Sequence, residues 1–373
     1  MHIAVACGGT GGHVLPGLAV ARCLRGRGHT VTLWLSGRDV ERVSLADWDG
    51  PVVRVRAAGL PARPSLRTIG ACGRLLSAVG VCLRHLGRTR PDVLLAMGSY
   101  ASVGPVVAAR CRGIPVVLHE ANAVAGRAVG LLAGSAVRVA VAFPRVRGVA
   151  GRRQVVTGLP LRAGLAGGGP RPAGLAAGRF TVLVMGGSLG AGALNRVVPA
   201  ALARLHGDGV ALQVLHLAGA DEAEAVGRRY AAAGVPHVVH AFYADMAGAY
   251  AAADLAVTRA GASTCMELAA CRVPAVLVPL PGAPRDHQTA NARVFADAGA
   301  AVLLPQPELT AARLADVAAR LHGDPAARER MRAAAGALAQ PHAAPRLADV
   351  VEACGVQRCA DGIAACRKPK SPV

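Results

Sequence analysis

The sequence predicts an α/β protein made of two doubly wound domains, each a parallel sheet covered by helices. Three observations carry that prediction. A strand, a glycine turn and a helix follow one another in HIAVACGGTGGHVLPGLAVARCL, residues 2–24. The same succession returns in FTVLVMGGSLGAGALNRVVPAALARL, residues 180–205, with Gly8-Gly9 and Gly186-Gly187 178 positions apart. Short apolar runs of strand length alternate with helical stretches through both halves. Between the halves lies RAGLAGGGPRPAGLAAGR, residues 162–179, whose Gly and Pro content reads as a linker. With 373 residues, 53% of them apolar, the chain can bury two cores.

Taken in order, the first half offers strands at HIAVA (2–6), HTVTLWL (29–35), PVVRVRA (51–57), DVLLAM (92–97), IPVVLH (114–119) and VRVAVA (137–142). The second offers FTVLVM (180–185), ALQVLHLAG (211–219), HVVHAF (237–242), DLAVTR (254–259), PAVLVPL (274–280) and AAVLLP (300–305). The stretch from Leu309 to about Leu338 is helical and alanine-rich. The domains therefore read as 1–161 and 180–339. A last helix, about 340–355, is expected to pack back on the first domain, and 356–373 reads as a disordered tail.

Composition narrows the function. The net charge is +20, and it is uneven: residues 1–160 hold 21 Arg against 6 acids, residues 161–373 hold 21 basic against 16 acidic residues. A basic half suggests an anionic partner, nucleic acid or an anionic membrane surface. Nucleic acid is disfavoured, because aromatics make up only 3% and no recognition module is visible. The opening MHIAVACGG lacks the basic region and cleavage site of a signal peptide, and no apolar run reaches the roughly 18 residues of a spanning helix. A cytosolic location is expected. The ten cysteines contain no CxxC pair and read as reduced thiols, and Cys354, Cys359 and Cys366 fit no zinc spacing, so no metal is expected.

The glycine turns call for an anion: their N–H groups and the positive end of the following helix make a phosphate cradle. Neither turn is a dinucleotide fingerprint, since Val14 stands where the third glycine would be and Arg38 where the ribose-binding acid would be useful. Neither is followed by GK[ST], which excludes a P-loop. A second constellation lies in TRAGASTCMELAACRVPAVLVPLPGAPRDHQTANARVF, residues 258–295. There a Gly-Ala-Ser-Thr turn leads into a helix carrying Glu267, and a Pro-rich loop precedes Asp286, His287, Gln288 and Asn291. A carboxylate one turn into a helix can accept from two neighbouring sugar hydroxyls while the helix end faces a diphosphate, which describes a sugar nucleotide. Taken without the neighbouring motif, Glu267 reads rather as a solvated helix acid. Asn122, in a polar loop after His119-Glu120, suits either ligand binding or capping.

Six motifs, in order, carry a resemblance: GGTGGHVLPGLAVA, GSYASVGP, LHEANAVAGRA, GGSLGAGALN, RAGASTCMELAACRVPAVLVPLP and DHQTANA. Together they resemble the MurG family of peripheral glycosyltransferases, over residues 3 to about 350. The resemblance implies a GT-B fold, two Rossmann-like domains facing across a cleft. It implies inverting transfer of N-acetylglucosamine from UDP-N-acetylglucosamine to the C4 hydroxyl of the muramoyl sugar of lipid I, giving lipid II for the peptidoglycan wall. No cofactor is implied.

The resemblance places Ser188 on the donor diphosphate, Arg162 and the backbone of Phe242 and Tyr243 near the uracil end, and Ala262, Ser263, Thr264 and Glu267 around phosphate and ribose. Gln288 and Asn291 would meet the sugar. Thr10, Gly11, Gly12 and Asn122 would reach the donor from the first domain, and Gly8, Gly9 and Tyr100 would line the acceptor side. The reaction needs a base near the attacking hydroxyl. His13, on the glycine turn, is the leading candidate, with Glu120 and His119 behind it. A neutral His13 that bonds the acceptor diphosphate or braces the loop is the other reading. Asp47-Trp48-Asp49 superficially copies a metal-binding DxD and reads as a loop.

Three positions depart from the family's usual residues: Leu159 stands for Asn, Leu189 for Gln and Ala121 for Gln. A relative that glycosylates another lipid or a secondary metabolite is therefore the alternative. Residues 64–91 bear on location. Eight Arg and no acid occur between 50 and 91, and Leu75, Leu76, Val79, Cys82, Leu83 and Leu86 recur at helical spacing. Such a helix suits the anionic cytoplasmic face of the cell membrane, or equally a sheet-packed position with solvated arginines.

Overall fold

The computed structural model describes the backbone of residues 1–37, 41, 45, 48–55, 66–187 and 190–366, and the side chains of these apart from residues 66–69, 71–72 and 357–366. The chain forms two units, Met1–Arg162 together with the segment from His342 onward, and Ala163–Pro341.

The first unit runs β1 (His2–Ala6), α1 (Gly11–Gly26), β2 (Thr30–Leu35), β3 (Val52–Arg54), α2 (Leu66–Thr89), β4 (Val93–Ala96), α3 (Val103–Cys111), β5 (Val116–Glu120), α4 (Arg127–Leu132), β6 (Arg138–Val141) and β7 (Gln154–Val156). Its seven strands are parallel in the order β3-β2-β1-β4-β5-β6-β7, with Ile3 opposite Val31 on one side and Val93 on the other. The central strands are covered on both faces, which is why they read as unbroken apolar runs rather than alternating ones. Ile3, Val5, Leu33, Val93 and Leu95 meet Val20 and Leu24 of α1 in one core.

The second unit runs β8 (Phe180–Met185), α5 (Gly192–Gly207), β9 (Leu212–Leu217), α6 (Ala223–Ala232), β10 (His237–His240), α7 (Met246–Ala252), β11 (Leu255–Thr258), α8 (Ala262–Cys271), β12 (Ala275–Leu277), α9 (His287–Asp297), β13 (Ala301–Leu303), α10 (Ala311–Gly323) and α11 (Pro325–Leu338). Its six parallel strands stand in the order β10-β9-β8-β11-β12-β13. In each sheet the chain winds outward on one side of the first strand and then returns to the other side. The reversals fall between β1 and β4 and between β8 and β11, and ligands of such sheets bind beyond the strand ends at that point.

Several expectations change. The alanine-rich stretch from Leu309 is two helices, broken at Asp324, whose side chain caps α11 by accepting from the Ala327 amide at 2.7 Å, with Pro325 at the first helical position. The last helix, α12, spans Ala343–Cys366, so it runs eleven residues into the segment read as a disordered tail, and 367–373 lie outside the described residues. No proline or charge cluster interrupts it there: Pro369 is the first proline after Pro345. Strand β7 was missed, because QVV is too short to stand out between turns. On α2 the buried row is Ala78, Cys82 and Leu86, the first two lying against Gly104 of α3, whereas Leu76 of the expected stripe is 72% exposed.

Candidate functional site

The reversal point of the first unit gathers the ends of β1, β4 and β5. After β1 the chain turns through Gly8–Thr10 into α1. Both leading glycines are obligatory: a Cβ on Gly8 would meet the backbone of Leu35 and Ser36, and Gly9 holds φ +138° against Ser99. The Ser99 hydroxyl, just beyond β4, donates to the Gly8 carbonyl. Gly11 and Gly12, at the start of α1, present the N–H groups that a helix leaves unpaired. Thr10 is exposed and its hydroxyl lies 3.1 Å from His13 Nδ1. Tyr100, next to Ser99, is 38% exposed.

His13 is half-buried, and loss of hydration, with a smaller contribution from His119, pushes its pKa down to about 4. The ring is therefore neutral at pH 7 and can accept a proton. Its basicity is lower than the reading from the sequence assumed, because the turn dries it. His119, on β5, is 1% exposed; its Nε2 faces the Gly158 carbonyl at 3.0 Å, and burial lowers its pKa to about 4. That carbonyl can only accept, so Nε2 carries the hydrogen and Nδ1 is a bare acceptor, buried without a hydrogen-bond partner among the described residues.

Glu120, at 3% exposure, spends both oxygens on its own loop: Oε1 accepts from the Asn122 amide at 2.9 Å and its side-chain Nδ2 at 3.1 Å, Oε2 from the Gly126 amide at 2.7 Å. It shapes the loop that displays Asn122, with two of those bonds on Oε1 and one on Oε2. Leu159 and Ala121, two of the departures from the family's usual residues, are buried, at 1% and 9% exposure.

The reversal point of the second unit joins the ends of β8 and β11. A Cβ on Gly186 would strike Ala191, Gly187 has φ +94°, and a Cβ on Gly190, at φ +75°, would strike the Ala218 carbonyl. Ser188 and Leu189 lie outside the described residues, as does Asp47. Across from this turn, α8 starts at Ala262 with Ser263 and Thr264 half-exposed in its first turn. Glu267 is not a solvated acid: its Oε2 accepts from the Tyr250 hydroxyl of α7 at 2.7 Å, which fixes the carboxylate one turn into α8. Phe242 is 69% exposed, and Tyr243 stacks on His240 with ring centres 5.1 Å apart.

Gln288 accepts from the Leu280 amide at 2.9 Å and so closes the Pro-rich loop. Asn291 is fully buried; its amide donates to the Ala260 carbonyl at 3.1 Å, so it holds the turn before α8. Arg162 is exposed at the end of the first unit.

Two site residues escaped the sequence reading. Glu41, 2% exposed, accepts from the Gly9 amide at 3.0 Å. Arg259, 7% exposed, follows β11 and donates to the carbonyls of Val278 and Pro279, both at 3.2 Å, and to Gln306 Oε1 at 2.7 Å. Desolvation lowers its pKa, and its Nε is buried without a partner among the described residues. The Arg259 partners lie 19 to 47 residues away, and the tie from Glu41 to the glycine turn spans 32, so neither contact leaves a local pattern in the sequence.

Two doubly wound units, each with a glycine turn and a helix N-terminus at its reversal point, suit an enzyme that binds a phosphorylated ligand, and comparison with known families makes that enzyme a glycosyltransferase. Residues 3–141 match the glycosyltransferase family 28 N-terminal domain and residues 181–349 its C-terminal domain. Among the relatives, a UDP-N-acetylglucosamine–N-acetylmuramyl-(pentapeptide) pyrophosphoryl-undecaprenol N-acetylglucosamine transferase of Alkalilimnicola ehrlichii is 44% identical, covering 94% of this chain and 98% of its own. The transferase of that name from Halorhodospira halophila is 45% identical, covering 94% and 97%. The crystal structure of Acinetobacter baumannii MurG superposes with a TM-score of 0.76 at 35% identity, covering 94% of this chain and 99% of that one. The chain belongs to the MurG family of glycosyltransferases and has its GT-B fold.

Proposed function

We propose that the chain transfers N-acetylglucosamine from UDP-N-acetylglucosamine to the C4 hydroxyl of the muramoyl sugar of lipid I, with inversion, releasing UDP and forming lipid II. The observation that carries this reading is the pair of reversal-point turns, one per unit, in a chain that shares more than 40% of its residues with transferases of that name.

The second unit would hold the donor. The N-terminus of α8, with Ser263 and Thr264, suits the diphosphate, the Tyr250-fixed Glu267 suits the ribose hydroxyls, and exposed Phe242 offers a face for the uracil. The departing diphosphate gains charge as the glycosidic bond breaks, and helix amides aimed at it stabilise that change. Arg259 and Asn291 act one layer behind, bracing the Pro-rich loop and the Ala260 turn.

The first unit would hold the acceptor, with the Gly8–Gly12 turn and Tyr100 near its diphosphate. His13 would take the proton of the attacking hydroxyl. An anionic substrate against the turn raises its pKa from about 4, so that binding makes the base stronger. Helix α2 would meet the membrane that anchors the acceptor: Leu76 is 72% exposed, and Arg74, Arg84 and Arg88 of the same helix are exposed. Among the described residues no helix is long and apolar enough to cross a membrane.

The test is lipid I with labelled UDP-N-acetylglucosamine in EDTA. Labelled lipid II is the expected product; its absence, with label appearing on another prenyl or aglycone acceptor, would replace the assignment by the alternative. His13→Ala should lower turnover by about 10²-fold or more. Near-normal turnover would leave the ring as a brace.

A further inference from the structure

We propose that Glu41 is the positioning residue of the catalytic turn, a buried carboxylate that clamps the His13-bearing loop to the end of β2. This rests on the functional reading above only for the role of His13. Glu41 Oε1 accepts from the Gly9 amide at 3.0 Å, the Ser36 amide at 3.0 Å and the Ser36 hydroxyl at 2.6 Å; Oε2 accepts from the Gly37 amide at 2.6 Å. Four donors from two separate segments thus converge on one carboxyl group that is 2% exposed. Burial alone would raise its pKa, but these hydrogen bonds outweigh it and hold the carboxyl below the usual range, so it is charged at neutral pH.

A negative charge in this place is otherwise hard to account for. A glycine turn before a helix attracts anions through its amides, and a resident carboxylate uses one of those amides and repels an incoming phosphate. What it gains is geometry. The Gly8 amide already donates to the Trp34 carbonyl at 3.2 Å, and the peptide group that follows is held at both ends, its Gly8 carbonyl by Ser99 and its Gly9 amide by Glu41. Immediately beyond, the His13 and Val14 amides both donate to the Thr10 carbonyl, at 2.9 and 3.1 Å, and His13 Nδ1 meets the Thr10 hydroxyl. The Gly9 tie is thus the last anchor before the segment that aims the His13 ring. Glu41 itself has no contact with the reacting atoms in this reading; it acts through the loop.

The test compares wild type with Glu41→Ala and Glu41→Gln, the second retaining one acceptor oxygen. Two readouts distinguish aiming from general stability. The first is the split of kinetic constants: kcat should fall about 100-fold in Glu41→Ala and about tenfold in Glu41→Gln, with KM for UDP-N-acetylglucosamine within twofold of wild type. The second needs no turnover. The His13 ring signal, assigned by its loss in His13→Ala, should titrate near 4 in wild type and shift toward 6.5 in the Glu41 variants as water enters the loosened loop. His119, the neighbouring ring that bears on His13, is unchanged in these variants. A His13 midpoint that stays in place in the folded variants, or a loss carried by the donor KM, overturns the proposal. Wild type that makes no lipid II overturns the functional reading instead, and the titration still decides the clamp. Should Glu41→Ala fail to fold, Glu41→Gln decides both readouts.

Discussion

His119 in the first unit and His216 in the second are buried, neutral rings. His216, fully buried, lies between the Tyr230 hydroxyl and Asn195 Oδ1, both at 3.0 Å, and burial lowers its pKa to about 3. An unfolded chain takes up these protons near pH 6.5, before the folded one does. Stability is therefore complete above that pH and declines as pH falls toward about 4 for His119 and about 3 for His216, levelling below. For His119 alone the loss is about 3 kcal/mol at ~1.4 kcal/mol per pKa unit. Denaturant midpoints measured from pH 7 to pH 4 should fall steadily, and His119→Gln should flatten part of that slope.

The glycines were legible one by one, because a double glycine between a strand and a helix has few other uses. Gly190→Ala is expected to cost about 1–3 kcal/mol, since it combines φ +75° with a collision at the Ala218 carbonyl. Thermal unfolding should show a clear fall in Tm, and an unchanged Tm would mean the turn relaxes freely. The polar clamps were not legible. Glu41, Arg259 and the Asn195–His216–Tyr230 chain join residues that no short motif links, and their pairing exists only once the sheet has brought strand ends together.

Among elements, type was easier to read than extent. Strands buried on both faces announced themselves as apolar runs, and twelve of the thirteen described strands were anticipated. The division of α10 from α11 was present in the sequence as Asp324-Pro325, a cap followed by a residue suited to the first helical position, but the alanine content on both sides masked it. Asp324→Ala should cost about 1 kcal/mol of stability, as other lost N-caps do, without affecting donor binding. Calorimetry with UDP-N-acetylglucosamine checks the second half of that statement. On α2 helical spacing alone could not say which apolar residues face α3, because the periodicity fixes a stripe and not its neighbour. If the exposed side is the membrane contact, Leu76→Asp should reduce co-sedimentation with vesicles containing anionic lipid while leaving Tm within about a degree, as an exposed substitution costs little.

At the scale of the molecule, the chain ends share one unit. Helix α12 buries Leu347, Ala348, Val351 and Cys354 in the first core, and Arg27 at the end of α1 reaches Asp349 at 2.7 Å and Glu352 at 2.8 Å. The exposed part of these ion pairs contributes little; the apolar face carries the attachment. Truncation after Pro341 should therefore unfold or strongly destabilise the first unit, while residues 163–341, with their own core, should retain a cooperative transition. Circular dichroism melts of the two fragments test this. The sequence located the helix but not its hold, since charge partners more than 320 positions apart leave no local trace.

That split has a temporal side. A ribosome delivers the amino-terminal part of the first core before the whole of Ala163–Pro341, and the helix that completes that core only after it, whereas the unit in between emerges unbroken. The unit in between can thus reach its native state while the first core still lacks Leu347, Ala348, Val351 and Cys354, so during synthesis the later-made sheet is the first to be complete.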